Sequence, residues 1–108
     1  MSYPRIRHKY HAVPCSRQGM RFDSKAEARR YDQLLLAKDA GEVLFFLRQV
    51  PFHLPGSVKL VLDFVIFWSE GHVTFEDVKG VETEQFKAKR RMVEALYPVT
   101  IDIVKMRR

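Results

Sequence analysis

The stretch Leu60-Val61-Leu62-Asp63-Phe64, running on through Glu70-Gly71 to Phe75-Glu76-Asp77-Val78-Lys79-Gly80, decides how this chain is read. Two apolar runs flank a short Glu-Gly turn, the pattern of a β-hairpin. Acidic residues interrupt both runs. Asp63 lies among Leu60, Val61, Leu62, Phe64, Val65, Ile66 and Phe67, a segment apolar enough to be buried on both faces. A carboxylate in such a strand needs partners or a metal. Side chains alternate along a strand, so Asp77 and Lys79 share a face and Glu76 points to the other. Two carboxylates and a lysine brought together by a hairpin can hold a divalent cation and cut a phosphodiester. Mg²⁺ takes hard oxygen ligands and keeps several waters, so two or three carboxylates suffice. The ion polarises the phosphate and activates water, while a nearby lysine offsets developing charge. The backbone carbonyl of Val78 is a further candidate ligand. The plainer alternative for Asp77 and Lys79 is an ordinary surface pair. Asp63 is the residue that alternative does not explain.

Working outward, a helix is expected from Ser24, whose spacing to Glu27 makes a capping box, to Gly41, a suitable residue just past a helix end. Glu27, Tyr31, Leu34 and Leu35 fall on one stripe of that helix. Glu27 therefore has two readings, a cap for its own helix or an acid that joins Asp63 and Asp77. Val43–Leu47 and Gln49–Leu54 read as extended, with Pro51 pointing to an edge position or a bulge. Pro55-Gly56 is a turn. Val58–Trp68 and His72–Lys79 are the two strands of the hairpin. Thr83 caps a second helix whose inner face carries Phe86, Val93 and Leu96 and which Pro98 ends. Val99–Val104 is a last strand. The expected class is α/β (α+β) with an αβββαβ core. A three-stranded antiparallel meander and a crossover strand would form a mixed four-stranded sheet flanked by helices.

The expected organisation is a basic N-terminal arm, residues 1–22, and a domain, residues 23–108. At 108 residues the chain suffices for one core. Its net charge of +6 favours an anionic partner, nucleic acid first. Arg5, Arg7 and Lys9 of the arm, with one short strand expected around Lys9–Val13, read either as a solvated tail or as phosphate contacts. Lys87, Lys89, Arg90 and Arg91 on the second helix read either as a solvated face or as holders of backbone beside the cut. The single Cys15 has no partner for an internal disulfide or a CxxC zinc site. No apolar run is long enough to span a bilayer and no secretory leader is recognised, so a cytoplasmic protein is expected. Trp68, Phe45, Phe46 and Phe52 are expected in the core and not as platforms for bases.

The spacing Asp63…Asp77-Val78-Lys79, with Glu27 in the first helix, resembles the PD-(D/E)XK nuclease superfamily. More narrowly, Phe22-Asp23-Ser24-Lys25-x-Glu27, Gln49-Val50-Pro51-Phe52, Asp63-Phe64 and Glu76-Asp77-Val78-Lys79-Gly80 followed by Thr83 look like a family of small phage and prophage proteins without assigned function. The resemblance covers roughly residues 9–104. It implies a restriction-endonuclease-like fold, an Mg²⁺ or Mn²⁺ site at Asp63 and Asp77, Lys79 as catalytic lysine and Glu27 as the helix acid. It also implies a phage-infected or prophage-carrying bacterial host, and relatives that include Holliday-junction resolvases. Leu62 stands where the superfamily's name has proline, a departure many members share. Glu76 beside Asp77 leaves two choices of second ligand, and the face shared with Lys79 favours Asp77.

The function expected from these readings is metal-dependent endodeoxyribonuclease activity on branched or otherwise processed DNA. Cutting both strands would call for a homodimer. Two rivals stand beside it, a DNA-binding protein that keeps the fold without catalysis and a phage structural or assembly protein.

Overall fold

Ser24 starts the first helix as its spacing demands. Its hydroxyl accepts the Glu27 amide at 3.1 Å. In the computed structural model, which describes residues 15–17 and 19–106, the chain runs β1 (Cys15–Arg17), β2 (Met20–Phe22), α1 (Lys25–Asp39), β3 (Val43–Leu54), β4 (Val58–Trp68), β5 (Val73–Val78), α2 (Glu84–Leu96) and β6 (Ile101–Val104). α1 closes in a double wrap: Gly41 donates to the Lys38 carbonyl and Glu42 to the Ala37 carbonyl. Gly41 takes φ +84 there, a left-handed backbone that suits glycine. Thr83 caps α2 through the Phe86 amide.

One mixed sheet in the order β3-β4-β5-β6 is flanked by the two helices, and β1 pairs with β2 in a separate hairpin. β3, β4 and β5 meander antiparallel and β6 joins β5 in parallel, as the crossover through α2 requires. The two extended segments expected before Pro55 form one continuous strand, β3, and Pro51 is tolerated because β3 is an edge. The packed body begins before residue 23. Met20 and Phe22 are buried against α1, with the Phe22 ring 5.0 Å from Tyr31. The short strand expected near residues 9–13 lies outside the described residues.

Two apolar clusters form the core. One joins α1 (Ala28, Tyr31, Leu34) to β2 and to Phe64 and Ile66 of β4. The other joins α2 (Phe86, Val93) to Ile101 and to Leu60 and Leu62 of β4. Strict alternation would place Leu62 and Phe64 on one face, yet they serve different clusters. The facing of β4 therefore changes at Asp63. Directly across, Gln49 of β3 has φ +52, a left-handed conformation uncommon outside glycine. The register stays constant through this point, since Arg48 pairs with Phe64 and Val50 with Leu62. The core aromatics behave as expected for Phe46, Phe52 and Trp68, which pack against the clusters. Phe45 is exposed and stacks on Phe67 at 4.3 Å.

Candidate functional site

Regular pairing of β4 with β5 reaches Phe64 opposite Glu76. One step further the register places Asp63 opposite Asp77. Here the carboxylates stand in for the ladder. The Asp63 amide donates to Asp77 Oδ1 at 3.1 Å, and the Val78 amide donates to Asp63 Oδ2 at 2.8 Å. Each acid thus holds the other strand's backbone and keeps lone pairs over. Asp77 is buried and Asp63 is half-buried, although the sequence suggested burial on both faces. Asp63 sits where the facing of β4 changes, between the cluster packed under α1 and the one packed under α2.

Lys79 lies beside Asp77 as the two-residue spacing predicts, with Nζ 3.2 Å from Asp77 Oδ2. The ammonium also sits 4.5 Å above the Phe86 ring, a cation–π contact from the first turn of α2. Glu76 faces the other way and takes both Nε and Nη2 of Arg30 from α1, at 2.9 and 2.8 Å. Glu76 and Asp77 thus have different partners, Arg30 of α1 for the first and Lys79 for the second.

Glu27 is buried on the inner face of α1. Its carboxylate faces Arg48 Nη2 at 3.5 Å and accepts from Gln49 Nε2 at 2.9 Å. Arg48 also bonds the Arg21 carbonyl and lies 4.0 Å above the Phe22 ring, so it ties the β2 hairpin over this acid. Gln49 Nε2 reaches Asp63 Oδ1 as well, at 3.4 Å. One carboxamide thus links the helix acid to the strand acids, and Gln49, Asp63 and Asp77 form a row across three strands. Sequence reasoning does not single out Gln49 or Arg48 as site residues. The signal is present in the register: the Pro55-Gly56 turn pairs Leu54 with Val58, and counting back from that pair sets residue 49 against residue 63.

The charges are unbalanced. Burial first, then the neighbouring Glu27 and Asp77 carboxylates, push the Asp63 carboxyl up from 3.8 to about 8. Burial also raises Glu27, with Arg48 opposing it. Glu27 faces Arg48 and Asp77 faces Lys79, whereas the charges acting on Asp63 are those of two further acids, opposed by the hydrogen bond from the Val78 amide. The donors are all oxygen, which is the chemistry that Mg²⁺ and Mn²⁺ prefer. Among the described residues no three acidic or imidazole side chains already stand together as a ligand set. Glu27 joins the Asp63–Asp77 pair through Gln49.

The basic residues fare differently. Arg5, Arg7 and Lys9 lie outside the described residues. On α2, Arg90 is tied inward, donating to the Ile101 carbonyl at 2.8 Å and flanked by Glu82 and Glu94. Lys87 pairs with Glu84 one turn back at 3.2 Å. Lys89 is half-buried and Arg91 exposed. Among the described residues, no helix is long and apolar enough to cross a membrane.

Residues 7–107 match the family described as Protein of unknown function (DUF1064), and the chain belongs to that family. No curated protein and no solved structure matches it.

Proposed function

We propose that this protein is a metal-dependent endodeoxyribonuclease that hydrolyses DNA phosphodiesters, on branched or otherwise processed DNA, in the cytoplasm of a phage-infected or prophage-carrying bacterium. The observation that carries the reading is the junction of Asp63 with Asp77, where two carboxylates replace a strand ladder and Lys79 stands 3.2 Å from the second. The resemblance to PD-(D/E)XK nucleases supports it, because the acids and the lysine are the residues that superfamily uses.

Asp63, Asp77 and the Val78 carbonyl would hold Mg²⁺ or Mn²⁺, with Glu27 as a further acid. When bound, the ion supplies Lewis-acid polarisation of the phosphate and a water of lowered pKa. The chain's own groups do the rest. Lys79 is half-exposed on a flexible stem, so its ammonium can turn from Asp77 toward a phosphate oxygen and offset charge there. Gln49, which donates to both Glu27 and Asp63, links the helix acid to the strand acids. The Phe86 ring keeps the Lys79 ammonium near the scissile position. Cutting both strands of a junction would need two copies of the chain.

The test is incubation of branched, duplex and single-stranded DNA with Mg²⁺, Mn²⁺ or EDTA, for wild type and Asp77→Ala. Metal-dependent cutting that disappears in EDTA and in the variant is expected. Binding without cutting in any metal leaves a non-catalytic DNA-binding protein. No retention of DNA even at low salt points to a structural or assembly protein.

A further inference from the structure

Arg48 and Gln49 are neighbours on β3, and neighbours on a strand point to opposite faces. Both nevertheless reach one atom of the helix acid: Gln49 Nε2 stands 2.9 Å and Arg48 Nη2 3.5 Å from Glu27 Oε2. They converge where the backbone leaves the extended region, at φ +52 of Gln49. Among the described residues the other non-glycine with a positive φ is Ser57, in the turn between β3 and β4, where such backbone is ordinary. Gln49 lies inside a strand. No residue is inserted there, since Arg48 pairs with Phe64 and Val50 with Leu62, so a bulge does not account for it.

Glycine takes this backbone freely, whereas a Cβ is crowded in it. A glycine would therefore let β3 turn at lower cost. The chain carries glutamine, and the side chain it gains by doing so touches two of the three acids. The same Nε2 that donates to Glu27 lies 3.4 Å from Asp63 Oδ1. An NH2 group has two hydrogens, one for each carboxylate. With the Val78 amide on Oδ2, both oxygens of Asp63 have a donor. The carboxamide is also neutral. Unlike Arg48 or Lys79, it draws acids together without supplying positive charge that would compete with a cation. Gln49 is exposed, so little packing depends on its side chain. Backbone strain of this kind gathers at ligand clamps and active sites, and the hydrogen bonds behind ligating carboxylates set how well they hold an ion.

We infer that Gln49 is a positioning residue for the divalent cation: its carboxamide orients Asp63 and Glu27 for Mg²⁺ or Mn²⁺, and the left-handed backbone at this position serves to aim it. That role rests on the reading of Asp63 and Asp77 as a metal site. It adds a neutral residue of the edge strand to a site otherwise made of acids and a lysine. Gln49 acts through the two carboxylates and makes no contact with substrate in this role.

The experiment measures the Kd of the full chain for Mn²⁺, with the free ion counted by electron paramagnetic resonance. Thermal unfolding in EDTA and cutting of a four-way junction in Mn²⁺ are followed in parallel. Gln49→Met keeps the length of the side chain and the crowded backbone but has no donor. Gln49→Gly removes the donor and the crowding together. Both variants should raise the Kd for Mn²⁺ by roughly 10- to 100-fold. Gln49→Gly should nevertheless melt above Gln49→Met, because its backbone is relaxed. A merely structural role would tie the two readouts together, and the variant with the higher melting temperature would recover the affinity. Gln49→Gly also carries the test if Gln49→Met does not fold. An unchanged Kd in the folded variants overturns the inference, and so does a Kd restored by glycine or a wild type that binds no Mn²⁺. A glycine variant that melts below the methionine variant overturns the claim that the backbone is held against strain. A wild type that binds Mn²⁺ but cuts nothing, with a Kd that still rises in both variants, sinks the nuclease reading and sustains the role of Gln49.

Discussion

Glu76 and Asp77 are neighbours on β5, both buried and both paired with a cation, yet they do opposite kinds of work. Glu76 receives two parallel bonds from the Arg30 fork, and that pair fastens α1 to the sheet. Such a bidentate pair is saturated and rigid. Asp77 receives one backbone amide and one ammonium, and the ammonium belongs to a side chain that is half-exposed and lies over an aromatic ring. A single point charge on a long stem can leave. Two acids of similar burial are thus distinguished by the geometry of their partners, one built to stay closed and one to open.

The largest effect that sharpens this contrast is expected from Asp77→Asn. It should lower metal-dependent cutting by roughly 10³-fold, several kcal/mol of lost charge stabilisation, while the melting temperature moves little. Next, Arg30→Met should leave Glu76 buried and uncompensated and cost about 3 kcal/mol in denaturant unfolding. Adding Glu76→Leu should recover much of that loss, and single-turnover cutting by the folded fraction should be unchanged. Lys79→Met should reduce cutting by roughly 10²-fold and stability by less than about 1 kcal/mol. If Lys79→Met destabilised as much as Arg30→Met, the distinction between the two pairs would collapse.

A pH-dependent effect concerns the third acid. The folded-state pKa of Asp63 lies above its ordinary value, so the folded chain binds that proton more tightly than the unfolded one. Stability contributed in this way is present below 3.8 and is lost as pH rises to about 8. The melting temperature of the ion-free protein should fall across that window, and Asp63→Asn should flatten the fall. Smallest of all, Thr83→Ala should cost about 1 kcal/mol through loss of the α2 cap, with no selective effect on cutting.

Much of this architecture can be read from the chain because its signals are local. The Ser24 and Thr83 caps, the turn at Gly41, and the limits of Val58–Trp68 depend on spacings within a few residues. The shared face of Asp77 and Lys79 follows from alternation within one strand. The features that escape such a reading depend on neighbours distant in sequence. Period-two counting assumes that a strand keeps its facing, and nothing in Leu62-Asp63-Phe64 announces that it turns there. The left-handed backbone at Gln49 has no glycine at that position to announce it. Arg90 looks like any solvated arginine until Ile101 and Glu94 are brought beside it. The β1–β2 hairpin reads as a basic arm because Met20 and Phe22 are two apolar residues among charges, too few to show a period.

The turn of facing at Asp63 and Gln49 has a mechanical consequence. It sets the carboxylates on a seam between two separately packed halves of the sheet, one gripped by α1 and the other by α2. Glu27 travels with the first half and the Phe86 ring under Lys79 with the second. The distance between the acids is therefore a gauge of how those halves sit together.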